Sequence, residues 1–200
     1  MKLTSNYKKY QSSNPIQKFL IGRFFHTIFA CLRPLEINSV LDVGCGEGFV
    51  LSKLKIQGIG RFFEGIDFSD KALELGRAKF PQLSLKKGNI YKLPYENNFC
   101  DLVICTEVLE HLERPSQALN EIVRVSRRYS LFSVPNEPFF RIANLMRGKN
   151  IFRWGNDIDH IQSWTSGDFE KFIAEKLSII SVIKSFPWTI ILGEKKSRAY

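Results

Sequence analysis

Three stretches of this chain hold residues whose types and spacing could do chemistry. Gly44-x-Gly46-x-Gly48 follows the apolar run Ser39-Val40-Leu41-Asp42-Val43 and opens a helical pattern. Glycines there reach backbone angles closed to other residues and let the main chain approach a ligand with no side chain between. A dinucleotide-binding loop reads G-x-G-x-x-G, with helix N-terminal amides facing a pyrophosphate. Here the third glycine comes one residue early, and Phe49 stands in that pattern's last place. Asp67 closes a second apolar run, where a carboxylate can accept hydrogen bonds from both hydroxyls of a ribose. A solvated strand end is the plainer reading of such an Asp, and the matching loop upstream favours the ribose.

The third stretch is Glu107-Val108-Leu109-Glu110-His111. On a regular helical turn, residues at i, i+3 and i+4 share one face, so both carboxylates and the imidazole would converge. Such a set could hold Mg²⁺ or Mn²⁺, its shell completed by water or substrate oxygens. Asp159-His160-Ile161-Gln162-Ser163-Trp164 offers a further histidine. The simpler expectation is a metal-free site in which His111 or His160 acts as general base beside Glu107.

These residues need a scaffold, and the rest of the sequence supplies its pattern. Asn14-Pro15 reads as a helix cap and first turn, with an amphipathic helix to about Leu32. Short apolar runs at 39–43, 62–67, 83–87, 101–105 and 129–134 read as strands, alternating with helices near 47–56, 69–79 and 115–125. That alternation implies a parallel sheet covered on both faces. After a helix at 166–176, strands at 179–183 and 188–192 lie too close for a crossover, so they pair antiparallel. Residues 1–13 are polar and read as loose. Residues 1–37 are expected to be a helical extension and 38–200 one domain, with 135–165 a lid-like insertion of interleaved aromatic and basic side chains.

Composition bounds the partners. The 200 residues carry 29 Lys and Arg against 20 Asp and Glu, a net charge of +9 at pH 7, with no block of like charges. A basic surface favours acidic partners, though it also simply keeps a protein soluble. Cys31, Cys45, Cys100 and Cys105 form no C-x-x-C pair, and with no secretory signal pattern the expected location is the cytoplasm. The apolar stretch Phe19 to Leu35 is short and broken by Arg23, His26 and Arg33, so it suits a packed helix or a membrane surface better than a span.

Taken together, VLDVGCGEG, GIDFS and GNIYKLPYENNFCDLVICTEVLEHL resemble the class I (Rossmann-like) S-adenosylmethionine-dependent methyltransferases, particularly the small-metabolite type that includes ubiquinone-pathway enzymes. The likeness runs over roughly residues 38 to 180 in order and spacing. It implies a seven-stranded sheet of order 3-2-1-4-5-7-6 with strand 7 antiparallel. It also implies Asp42, Gly44, Cys45, Gly46 and Gly48 at the methionine end of S-adenosylmethionine, Asp67 with the adjacent Phe68 at the ribose, Asn89 and Ile90 beside the adenine, and Thr106 near the transferable methyl. Family members commonly have Asp where Asn89 stands, which weakens that one assignment.

Methyl transfer from a sulfonium is an in-line displacement that asks chiefly for alignment and exclusion of water. The Asn-Pro-Pro-Tyr signature of amino-group acceptors is absent, Ile104-Cys105-Thr106-Glu107 standing in its place, and no Pro-Cys pair serves cytosine C5. The expected acceptor is a small-molecule or lipid-like hydroxyl. Two other readings stay open: a metal-dependent 2′-O-methyltransferase of an RNA 3′ end, and a non-catalytic cofactor-binding subunit of a partner.

Overall fold

The computed structural model describes residues 3–137 and 161–196. Within them the chain builds a seven-stranded sheet of order β3-β2-β1-β4-β5-β7-β6. The strands are β1 (Ser39–Val43), β2 (Phe62–Asp67), β3 (Ser84–Lys87), β4 (Cys100–Thr106), β5 (Ser126–Pro135), β6 (Leu177–Ser185) and β7 (Trp188–Lys195). β1 runs parallel to both β2 and β4, while β7 is antiparallel to β5 and β6. The order and the reversal of β7 agree with the sequence-based expectation.

Alternation along the central strands divides the core into two layers. In β4, Leu102 and Ile104 face one side, where they meet Phe24, Ile28 and Leu32 of helix α2 (Pro15–Leu32) and Leu51 and Leu54 of α3 (Phe49–Ile56). Val103 and Cys105 face the other side, against Leu119 and Ile122 of α5 (Pro115–Val125) and Phe169 and Ile173 of α6 (Ser166–Ala174). α4 (Asp70–Lys79) adds Leu73 to the first layer. Each such fully buried side chain contributes about 1.5–3 kcal/mol of gross transfer free energy.

The helices start where the sequence places their caps. The Asn14 side chain accepts from the Ile16 and Gln17 amides at 2.9 and 3.2 Å, and Pro15 occupies the first turn. Ser69 accepts from Ala72 N at 3.3 Å to open α4. No helix among the described residues is long and apolar enough to cross a membrane.

The amino-terminal segment departs from expectation. Rather than trailing loosely, residues Ser5–Tyr10 form a short helix, α1, capped by Thr4, whose hydroxyl accepts from Tyr7 N at 3.0 Å. Tyr10 stacks on Phe49 with ring centroids 4.5 Å apart, and Tyr7 meets the same ring edge-on at 5.7 Å. Two aromatic anchors spaced by three residues hold this helix against the start of α3.

Candidate functional site

The strand order reverses between β2 and β4 on either side of β1, and ligands of open α/β sheets bind at the carboxyl ends of strands where this happens. Three of the chain's candidate groups lie at those ends. Asp42 and the glycine loop leave β1, Asp67 closes β2, and Thr106 and Glu107 leave β4. The sheet therefore brings together stretches that lie far apart in the sequence.

The loop is held in a left-handed conformation at Gly44, Gly46 and Gly48, with φ of 79°, 52° and 81°. Its first amides, Gly44 N and Cys45 N, donate to Ile66 O at 2.8 and 3.1 Å. A Cβ on Gly44 would stand 2.4 Å from a methyl of Val108, so the turn after β4 presses directly on the loop. Cys45 points inward, buried against Gly65 of β2. Burial, with the charges of Asp42 and Asp67, pushes its thiol well above the ordinary range, which makes it packing rather than a nucleophile.

Asp42 is almost wholly buried, and among the described residues neither of its oxygens receives a hydrogen bond. Burial, reinforced by the charge of Asp67, raises its carboxyl to about 8. A buried, unpartnered carboxylate is costly by itself and is relieved by a cation placed against it. This side chain is the clearest sign that the loop serves a positively charged ligand, and it fits a cofactor bearing both an ammonium and a sulfonium.

Asp67 already takes part in the loop. Its Oδ2 accepts from Gly46 N at 2.7 Å and its Oδ1 from Ser69 N at 2.8 Å. Burial raises its carboxyl and these amides draw it back, the net direction being upward. Each oxygen keeps a second lone pair for a hydroxyl. Phe68, next along, is 81% exposed. Gly88 N donates to Asp67 O at 2.9 Å, which ties the segment carrying Asn89 and half-buried Ile90 to the end of β2. Asn89 spends its side-chain oxygen on Tyr91 N at 2.9 Å, closing a local turn.

The Glu107 to His111 segment corrects a sequence-based expectation. Glu107 sits at φ 56°, a left-handed angle rare outside glycine, and only Leu109–His111 form a 3₁₀ turn. No α-helical face exists to gather the three groups. Glu110 points into the interior, with burial and then the charge of Glu107 pushing its carboxyl well above the ordinary range, while His111 is exposed. Among the described residues no three His, Cys, Asp or Glu side chains stand close enough to hold a metal ion. His160 and most of the expected lid, residues 138–160, lie outside the described residues. The stretch that follows His160 does meet this turn: Ile161 N and Gln162 N both donate to Glu110 O at 2.9 Å.

Sequence reasoning missed the part played by the segment it read as loose, which brings Thr4, Asn6, Lys9 and Tyr10 to the site. Glu47, wholly buried in the glycine loop, accepts from the Thr4 hydroxyl and from Asn6 Nδ2, the latter at 2.6 Å. Glu107 accepts from Lys9 Nζ on one oxygen and from the Trp188 indole N–H on the other. Burial works to lower Lys9, but Glu107 and its neighbours outweigh it and hold the ammonium above its ordinary value. Tyr10 is raised to about 12 by burial. Helix α1 thus lies across the carboxyl ends of β1 and β4, bonded to both loops. The Tyr7-x-x-Tyr10 spacing behind a Thr cap was the one available signal.

Residues 41–134 match the family model described as a methyltransferase domain. A Mycolicibacterium smegmatis protein named "Probable S-adenosylmethionine-dependent methyltransferase" is 33% identical over 105 residues, which cover 52% of this chain and 40% of that one. The ubiquinone biosynthesis O-methyltransferase of Thiobacillus denitrificans is 34% identical over 98 residues, covering 46% and 41%. The chain thus spans about 40% of the length of these curated relatives. Among solved structures, the magnesium protoporphyrin IX methyltransferase of Synechocystis with bound SAH superposes with a TM-score of 0.70 at 16% identity, over 96% of this chain and 95% of that one. That likeness is one of fold. Residues 41–134 form a methyltransferase domain of the S-adenosylmethionine-dependent, Rossmann-like class.

Proposed function

We propose that this protein transfers the methyl group of S-adenosylmethionine to a hydroxyl of a small or lipid-like acceptor. The observation that carries the reading is Asp42, a buried carboxylate without a partner among the described residues, at the root of a left-handed glycine loop. Bound there, the cofactor would supply an electrophilic methyl on a sulfonium. Asp42 and the loop from Gly44 to Gly48 would hold its methionine end and Asp67 its ribose. Phe68 would lie beside the ribose, and Asn89 and Ile90 would border the adenine.

The acceptor's proton needs a base. Both Glu107 oxygens accept hydrogen bonds, from Lys9 and Trp188. Glu107 is therefore better suited to anchoring α1 over the site, beside Thr106, than to taking a proton. That leaves His111 and His160 as candidates. Water exclusion falls to α1 and, with it, the segment 135–165. An oxygen acceptor is supported by the lack of an Asn-Pro-Pro-Tyr stretch after β4 and by the likeness to a ubiquinone O-methyltransferase over 46% of the chain.

The test is methyl transfer from S-adenosylmethionine labelled on its methyl group, offered to a panel of phenols, catechols, aliphatic hydroxy compounds, amines and a short RNA. Label should enter a solvent-extractable ether and persist in the presence of a chelator. Label in the RNA or in amine products only, or restored after chelation by Mn²⁺ or Mg²⁺ alone, would contradict the reading.

A further inference from the structure

On the outer side of the first core layer, α1, α2 and α3 leave a groove of about 680 Å³. Its apolar surface comes from Ile21, Phe25, Phe29, Ile56 and Phe80. Its cations are Lys9, Lys18, Arg33, Lys53 and Lys79, and among the described residues no Asp or Glu lines it. Lys9 is paired with Glu107, and the other four positive charges repel each other around one apolar surface with no carboxylate of the groove to offset them. Lys9 and Lys79 stand at the end nearest the glycine loop, with Lys79 Nζ over the rings of Tyr7 and Phe80 at 5.3 and 5.7 Å. At the far end Arg33 is tied to Gln57 at 2.7 Å. The outer rim leaves Ile56 73% exposed, and Phe19 on the adjoining turn of α2 is 63% exposed.

The size suits a small ligand rather than a macromolecule, since ligand clefts run to roughly 300–1,000 Å³. Helix α3, which walls the groove through Phe49, Ser52, Lys53 and Ile56, is eight residues long and extends about 12 Å, the reach of a medium alkyl or isoprenyl chain. Charge complementarity then selects the head group.

We propose that this groove binds a single-chain anionic amphiphile, its tail on the apolar surface and its phosphate or carboxylate among the lysines. Because Lys9, Tyr10 and Phe49 border both the groove and the cofactor site, a chain seated there leads toward Glu107 and Thr106. In this role it would be the methyl acceptor or its tail, which rests on the methyl-transfer reading; binding itself does not.

Gly22 provides a clean test. It lines the groove, an added Cβ there meets nothing within 4 Å, and its backbone is helical, so a larger residue fills the groove without disturbing the core. Calorimetry on the full chain would use monododecyl phosphate below its micelle-forming concentration. One molecule should bind per chain, and Gly22→Trp should weaken it by at least about tenfold through lost apolar contact. Lys18→Glu with Lys53→Glu should do the same through lost charge. The affinity for S-adenosylhomocysteine should stay unchanged in all variants, which also reports that they are folded. Equal binding of inorganic phosphate, of dodecyltrimethylammonium or of a short single-stranded oligonucleotide would overturn the proposal. So would amphiphile binding unaffected by Gly22→Trp, or attachment to phosphatidylglycerol vesicles with no binding of the single chain. If the amphiphile binds as expected but S-adenosylhomocysteine does not, the groove stands and the methyl-transfer reading falls.

Discussion

Asp42 makes a pH prediction whose sign follows from its environment. In the unfolded chain its carboxyl ionises near 4, whereas in the fold burial holds it at about 8. Between these values the folded protein keeps a proton that the unfolded chain has released. The ligand-free protein should therefore lose stability as pH rises through that window, and no further above it. A cationic cofactor group reverses the preference, so binding of S-adenosylmethionine near pH 7 should release up to about one proton from this residue. Calorimetry in buffers of different ionisation enthalpy measures it. Asp42→Asn should abolish the release, and the same release in that variant would remove Asp42 from the site. A second residue-scale prediction separates backbone angle from crowding. Gly44 and Gly58 both have positive φ, but only the Gly44 position is pressed by Val108, while an added Cβ on Gly58 meets nothing within 4 Å. Gly58→Ala should cost about 1–2 kcal/mol and Gly44→Ala about 2–4 kcal/mol in urea unfolding. Equal costs would show that the loop has room to give.

At the scale of elements, helix α1 is the feature the sequence concealed. Six residues cannot hold a helix in water unaided, and in Ser5–Tyr10 only Tyr7 and Tyr10 mark a face that packs. Its order comes from partners 41 to 98 residues away, Glu47 and Glu107, which no local pattern reveals. The turn after β4 was misread for a related reason. Glu107-Val108-Leu109-Glu110-His111 has helical spacing, but a left-handed residue at its start converts it to a tight 3₁₀ turn that sends Glu110 inward and His111 outward. The places of the glycine loop and Asp67 at the carboxyl ends of β1 and β2, by contrast, were legible because each follows a short apolar run that reads as a buried strand. Lys9→Met tests the anchoring of α1. A buried charge left without its partner costs about 3–5 kcal/mol, but solvent screens this pair, whose side chains are 25% and 24% exposed. The expected loss is about 1–2 kcal/mol, most of it recovered when Glu107→Gln is added. A loss below about 0.3 kcal/mol would mean that α1 is held by its tyrosines and the Glu47 bonds without help from Lys9.

Across the whole molecule, the parallel sheet and the antiparallel last pair could be read in advance because strand-like runs alternate with helices and the last two runs stand too close for a crossover, while the strand order itself was what the family resemblance implied. That order puts Asp42, Asp67 and Thr106 at one edge although they lie up to 64 positions apart. It also sets α2 and α3 side by side, and so makes the basic groove that composition hinted at only as a net charge of +9. The methyl-transfer reading depends on which cofactor the glycine loop accepts. Calorimetric titration of the full chain with S-adenosylmethionine, S-adenosylhomocysteine and NAD decides that most directly. The first two should bind one per chain, with affinity weakened by about 1–3 kcal/mol in Asp67→Ala through loss of charge-assisted hydrogen bonds, and NAD should give no heat. Binding of NAD, or no binding of either sulfur compound, would contradict the account.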